Sequence, residues 1–175
     1  MTAFTQCSIC LDTGIRLSEL AGIKINDINH NNRSLIVYGK GEKQRQVYLD
    51  KECELAISRY EIFKRPEPKN EDILFLSRDG YPLTPNRIQK ILELAGKKAG
   101  LKQRLSAHKL RHTYATLSLK NGGNLEYIRR TLGHNDIKTT QIYLELSDSD
   151  IEEAHNRFSP LSNLKNKFNG TKSSK

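Results

Sequence analysis

The stretch SAHKLRHTYAT, Ser106 to Thr116, puts two imidazoles and two cations into five consecutive residues, His108-Lys109-Leu110-Arg111-His112, just ahead of an ordinary amphipathic pattern. A helix that only has to be soluble mixes Glu with Lys at such positions. On a helix, His108 and Arg111 stand three apart and share one side. A guanidinium beside an imidazole packs poorly, but together they suit the non-bridging oxygens of a phosphate. Charged helix faces produce this pair by chance, so its meaning depends on what accompanies it.

The 175-residue chain carries a formal net charge of +9, with 36% hydrophobic and 28% charged residues. That length makes one domain with a real core. The charge is uneven: residues 101–143 hold eight Lys or Arg against two Asp or Glu, about two thirds of the whole excess. A localised basic surface is the footprint of a polyanion-binding face, most often for nucleic acid. No apolar run approaches the roughly 18 residues of a membrane span. The N-terminus lacks the charged-then-apolar layout of a signal peptide, so the expected compartment is the cytoplasm, with no membrane partner. Three cysteines make no disulfide framework. Cys7-Ser-Ile-Cys10 has CxxC spacing, but nothing completes a zinc site, so apolar packing is expected and no metal is implied.

Working outward, AFTQCSICLDTG reads as a helix ended by Gly14, and Ser18-Glu19 start a short second helix that ends near Gly22. RSLIVYG and QRQVYL read as strands joined by the hairpin turn KGEK. KECELAISRYEIFKR is an amphipathic helix closed before Pro66, and ILFLSRDGYPL a short apolar strand with an Asp-Gly turn. Thr84-Pro85 supply an N-cap and an N1 proline for a helix reaching Gly96 or Gly100. The helix of the opening motif stops at NGG, and Asn124 caps another that ends at Gly133. DIKTTQIYLEL continues as helix, and Ser149 with Glu152 forms a capping box for a last helix stopped by Pro160. The fold class expected is mainly α, with a small antiparallel β-sheet near the N-terminal part.

The companions of the basic turn come in order. TGIRLSEL puts Arg16 at a Gly-led turn into a helix, with Glu19 three residues on. VYGKGEKQRQVYL puts Lys40 at a hairpin tip between two glycines, which let the backbone bend sharply and approach a ligand. TLGHNDIKTTQIYL puts His134 just past a glycine and Tyr143 nine residues further. Each has an ordinary reading: a surface cation paired with Glu19, a solubilising tip, a helix-end cap, a core-edge aromatic. Jointly, these boxes resemble the tyrosine recombinases, the family of phage and transposon integrases and Xer-type recombinases. That family's boxes are a TGLRxSEL-like Arg box, GKGxKxR, HxLRHxxAT, LGHxxxxTT and a Tyr nine residues past that His. Here they read TGIRLSEL, GKGEKQR, HKLRHTYAT, LGHNDIKTT and QIY, and the likeness runs from residue 3 to residue 160.

The resemblance implies the tyrosine recombinase catalytic-domain fold, of the DNA breaking-rejoining type, over residues 1–160. That domain would be N-terminally truncated, without the upstream core-binding domain, and followed by a flexible basic tail at 161–175. It implies a catalytic set of Arg16, Lys40, His108, Arg111, His134 and Tyr143, with Glu19 holding the first Arg or its hydrogen-bond network in place. His112 would be structural. The implied function is site-specific DNA recombination or integration. Tyr143 would attack a phosphodiester, leaving a 3′-phosphotyrosyl link and a free 5′-hydroxyl. Lys40 would protonate the leaving oxygen, its pKa lowered by like charges on Lys43, Arg45 and the clamp arginines. The covalent link conserves the bond energy, so no cofactor is needed. The arginines would supply the charge that a metal supplies elsewhere.

The implied partner is double-stranded DNA. LSDSDIEEAHNRFSPL resembles the C-terminal helix that such proteins dock onto a neighbour, which implies a tetramer on DNA. Two rival readings remain. One is a type IB topoisomerase-like nicking-closing enzyme. The other is a non-catalytic DNA-binding regulator using NLEYIRRTLGHNDIKTTQIY as a helix-turn-helix, with Tyr143 as packing.

Overall fold

A left-handed glycine ends the first helix and sets the direction of everything after it. Helix α1, Thr2–Thr13, stops at Gly14 with φ +62°, and the Gly14 N–H closes on the Cys10 carbonyl at 3.0 Å. A β-carbon built at Gly14 would stand 2.5 Å from Cδ1 of Tyr114 and 2.7 Å from Cδ2 of Leu132, so both backbone conformation and space require glycine here. Ile15 goes straight into the core, and Arg16 becomes the N-cap of the short helix α2, Leu17–Ala21. The computed structural model describes residues 2–39, 41, 43–69 and 72–133. Lys40, the helical stretch expected at 136–146, the Ser149–Glu152 capping box and the 161–175 tail lie outside them.

The sheet has three antiparallel strands in the order β1 (Ile28–Asn29), β2 (Ser34–Tyr38), β3 (Gln44–Tyr48). Register pairs Leu35 with Val47 and Val37 with Arg45. Leu35, Val37 and Val47 are buried while Ile36, Gln46 and Tyr48 are exposed, the alternation of a sheet covered on one face. The hairpin expected from the sequence is present; β1 was not expected, being only two residues paired at the edge of β2.

Helices α3 (Lys51–Phe63), α4 (Pro85–Lys98), α5 (Ala107–Lys120) and α6 (Leu125–Leu132) complete the described fold. Asp50, Thr84, Ser106 and Asn124 cap them with side-chain oxygens. Helix α1 packs against α3, α4 and α5. The main core gathers Ile9, Ile15, Leu35, Ile57, Phe75 and Leu92. A smaller cluster of Tyr114, Ala115, Ile128 and Leu132 joins α5 to α6. Cys10 is buried and Cys7 half-buried, both as free thiols, in keeping with the packing expected of them. Burial pushes the Cys10 thiol up to about 12.

ILFLSRDGYPL is not the strand expected. Its hydrogen bonds are split between two partners: the Leu74 N–H reaches the Ile23 carbonyl, while the Leu83 N–H returns to Phe75. Only isolated bridges result, Lys24 with Ile73 and Leu76 with Pro82. Ile73 to Leu76 are all buried, so the segment fills core without extending the sheet.

Gly14→Ala tests this framework. The left-handed backbone costs a non-glycine residue about 1–2 kcal/mol, and the overlap with Tyr114 and Leu132 adds roughly 1–3 kcal/mol. Urea unfolding should show the sum. A variant as stable as wild type would mean that the turn relaxes without cost.

Candidate active site

Helix α6 ends at Leu132 with Gly133 as its C-cap, and the carbonyls of Thr131, Leu132 and Gly133 are at its C-terminal end, where helix carbonyls look outside the helix for donors. Each accepts from a different guanidinium. Nε of Arg45 donates to the Thr131 carbonyl at 2.7 Å, Nη2 of Arg111 to Leu132 at 2.8 Å, and Nη2 of Arg16 to Gly133 at 3.3 Å. Cations at the negative end of a helix are favourable in themselves. Three arginines from a turn, a strand and a separate helix thus meet on one backbone segment, immediately before His134.

The three are held differently. Arg111 is 7% exposed, and its Nη1 also donates to the Gly14 carbonyl at 2.6 Å, so one guanidinium bridges the end of α1 and the end of α6. Arg16 keeps 44% of its side chain in solvent, and its Nη1 lies 3.2 Å from Oε1 of Glu19. Arg45 grips Glu19 with both ends of its fork, Nη1 to Oε1 at 2.9 Å and Nη2 to Oε2 at 2.8 Å. The Arg16 backbone N–H donates to Oε2 of Glu19 at 2.7 Å, reciprocating at the start of α2.

Glu19 is therefore a buried carboxylate with guanidiniums on two sides. Burial by itself pushes its carboxyl up. The Arg45 hydrogen bonds, the Arg16 N–H and both positive charges outweigh that and hold it below the ordinary carboxylate range. Arg45, one of the like charges expected to act on Lys40, is ion-paired with Glu19; Lys40 itself lies outside the described residues.

Arg16, Glu19 and Arg45 line a cleft of about 940 Å³ that also takes in Lys43, Arg130 and Tyr38, four cations to one carboxylate among the described residues. Gly39, the residue before Lys40, closes the base of the hairpin through its N–H on the Lys43 carbonyl at 2.8 Å. A β-carbon built there would stand 3.7 Å from Oε1 of Glu19, so the hairpin tip starts beside the carboxylate. His108 lies exposed on the first turn of α5, one turn before Arg111 on the same helix. The entry to that helix is pinned by Gln89 of α4, which donates to the Leu105 carbonyl at 3.2 Å and accepts from the Ala107 N–H at 3.4 Å. His112 is exposed. Of the expected set, the structure brings together Arg16, Glu19 and Arg111, and places His108 one turn from Arg111. Lys40, His134 and Tyr143 are outside the described residues. Sequence reasoning did not give Arg45 a structural part, though strand alternation puts it on the inward side with Val47, where a cation needs a carboxylate.

The model of the phage integrase family matches residues 3–150. The chain belongs to that family. Tyrosine recombinase XerD of Staphylococcus aureus is 36% identical to this phage integrase family member over 159 residues, which cover 89% of this chain and 54% of that protein. The crystal structure of XerA recombinase superposes with a TM-score of 0.76 at 36% identity, covering 87% of this chain and 55% of that one. XerH site-specific recombinase, bound to its difH substrate in a pre-cleavage complex, gives a TM-score of 0.74 at 30% identity, covering 90% and 47%. The fold is that of tyrosine recombinase catalytic domains, and the chain spans about half the length of these relatives.

Two measurements follow from the geometry. Arg111→Met strips the Gly14 and Leu132 carbonyls of a charged donor and should lower unfolding stability by roughly 3 kcal/mol, whereas the exposed Arg130→Ala should leave the midpoint nearly unchanged. Because the folded Glu19 carboxyl titrates below its unfolded value, its contribution is present at neutral pH and lost as pH falls through the folded value. Glu19→Gln should therefore be less stable than wild type at neutral pH, with the gap closing in acid. A gap that stays constant with pH would contradict the ionised pairing.

Proposed function

We propose that this chain is the catalytic part of a site-specific DNA recombinase or integrase that cuts and rejoins double-stranded DNA through a tyrosine. The observation that carries the reading is the meeting of Arg16 and Arg111 on consecutive carbonyls directly before His134. Two cations distant in sequence become a fixed positive pair beside a basic cleft, as a doubly charged phosphorane requires. Family membership and the likeness to a recombinase held on its DNA substrate support the same partner here.

In this mechanism Arg16 and Arg111 clamp the non-bridging oxygens of the scissile phosphate. His108 and His134 hydrogen-bond the phosphate, and one of them assists in taking the Tyr143 proton. The Tyr143 oxygen attacks phosphorus as the bond to the 5′-oxygen breaks. Lys40 donates a proton to that oxygen, leaving a 5′-hydroxyl and a 3′-phosphotyrosyl link. A 5′-hydroxyl from the same or another strand reverses the step, so the bond energy is never lost. Glu19 fixes Arg16 and does not touch the phosphate. Recombination between two duplexes requires several copies on DNA, and the resemblance of residues 146–161 to a docking helix favours a tetramer. The working compartment proposed for this chain is the cytoplasm.

The test needs no knowledge of the target site. The purified chain is incubated with supercoiled plasmid, stopped with detergent and assayed for covalently bound DNA. Wild type should form an adduct and relax the plasmid. Tyr143→Phe should form none, and Arg16→Ala should slow formation by about a hundred- to a thousandfold. Tyr38→Phe, which alters a half-exposed tyrosine on the cleft, should retain the adduct. An adduct that survives Tyr143→Phe would overturn the assignment.

A further inference from the structure

We propose that Arg45 is a positioning residue of this site: its guanidinium locks the Glu19 carboxylate to the last turn of α6, so that Arg16 and the chain entering His134 are held as one unit. The inference rests on the function proposed above and adds to it a residue outside the catalytic set.

Three donors on Arg45 serve three acceptors: both Glu19 oxygens at 2.8 and 2.9 Å and the Thr131 carbonyl at 2.7 Å. A planar fork does this and a lysine ammonium cannot. Its side chain is 15% exposed and that of Glu19 3%, so the pair is shielded from competing water. The guanidinium also lies flat against Gly133. A β-carbon built there would come within 3.0 Å of Nη1 and 3.1 Å of Cζ, in a residue with φ +65°. The glycine that ends α6 is thus shaped to the arginine as well as to the turn. The arrangement ties strand β3 to both the α1–α2 turn and the end of α6, which Arg111 already joins to each other through the Gly14 and Leu132 carbonyls.

Among the described residues, the charged groups that share the cleft with Glu19 are Arg16 at the start of α2, Arg45 on β3, Lys43 on the hairpin and Arg130 on α6, with Tyr38 on β2. Among the described residues only Arg45 and Arg16 bond to it directly. Remove Arg45, and burial works against the charged carboxylate with the partly solvated Arg16 as its remaining direct partner. A protonated Glu19 then loosens Arg16, and the defect deepens as pH falls.

The experiment measures single-turnover adduct formation across pH for wild type, Arg45→Gln and the double variant Glu19→Gln/Arg45→Gln. The ratio of Arg45→Gln to wild type should fall by about tenfold per pH unit below the raised Glu19 value. The double variant, which has no carboxyl to titrate, should run parallel to wild type at a lower level. DNA binding in a mobility-shift assay should stay within about twofold, since Arg45 is committed to Glu19 and Thr131. A ratio that is flat with pH would overturn the proposal. Arg45→Lys carries the test should Arg45→Gln fail to fold. It keeps the charge but not the fork, so it should cleave about tenfold more slowly with binding intact, and a wild-type rate would overturn the proposal. Absence of any Tyr143-dependent adduct in wild type would instead count against the function itself. In that event NMR titration of the Glu19 carboxyl without DNA still decides the coupling: a value raised by Arg45→Gln supports it and an unchanged value refutes it.

Discussion

A carboxylate with 3% of its side chain exposed, Glu19, sits between the guanidiniums of Arg16 and Arg45, and Arg45 continues from it to the carbonyl end of α6. Taking a carboxylate out of water is costly unless charge and hydrogen bonds replace what water supplied. Here both oxygens receive N–H donors, and the replacement is good enough that the carboxyl stays ionised. Such a group tolerates little displacement of its partners, because an unpartnered charge at that depth is worse than none. The α1–α2 turn, strand β3 and the last turn of α6 are therefore fixed relative to one another by electrostatics as much as by the apolar core.

On the proposed function, the cations are in place before any substrate arrives. Arg111 is tied to Gly14 and Leu132, and Arg16 to Glu19 and Gly133. Reorganising two long side chains during a reaction would add to its barrier, and prior anchoring removes that cost. The same contacts explain two glycines. Gly14 and Gly133 both take left-handed backbone and present a carbonyl to an arginine; a β-carbon at Gly14 would overlap Tyr114 and Leu132, and one at Gly133 would crowd the Arg45 guanidinium.

Much of this was legible in the chain, for identifiable reasons. The helix starts were readable because Thr84 and Asn124 are side-chain caps and Pro85 stands at N1, and the hairpin because apolar residues alternate on either side of a glycine turn. Arg16, Arg111 and Glu19 stood out through their boxes, and the structure brings them together. The 73–83 segment was misread because a short apolar run looks the same whether its hydrogen bonds form one ladder or divide between two partners. Strand alternation gives the inward side of Arg45, but its partners lie 26 and 86 residues away in sequence, and no local pattern identifies them. The meeting of three arginines on consecutive carbonyls is a property of the folded chain alone.

The central claim is that this anchored cluster serves a phosphoryl transfer to Tyr143. The most direct measurement is to trap the protein–DNA adduct, digest it with nuclease and protease, and locate the nucleotide-bearing residue by tandem mass spectrometry while typing the freed DNA ends. The account predicts a nucleotide 3′-phosphate on Tyr143 and 5′-hydroxyl ends. A nucleotide on Tyr38 or any other side chain, or a link through a 5′-phosphate, would contradict it.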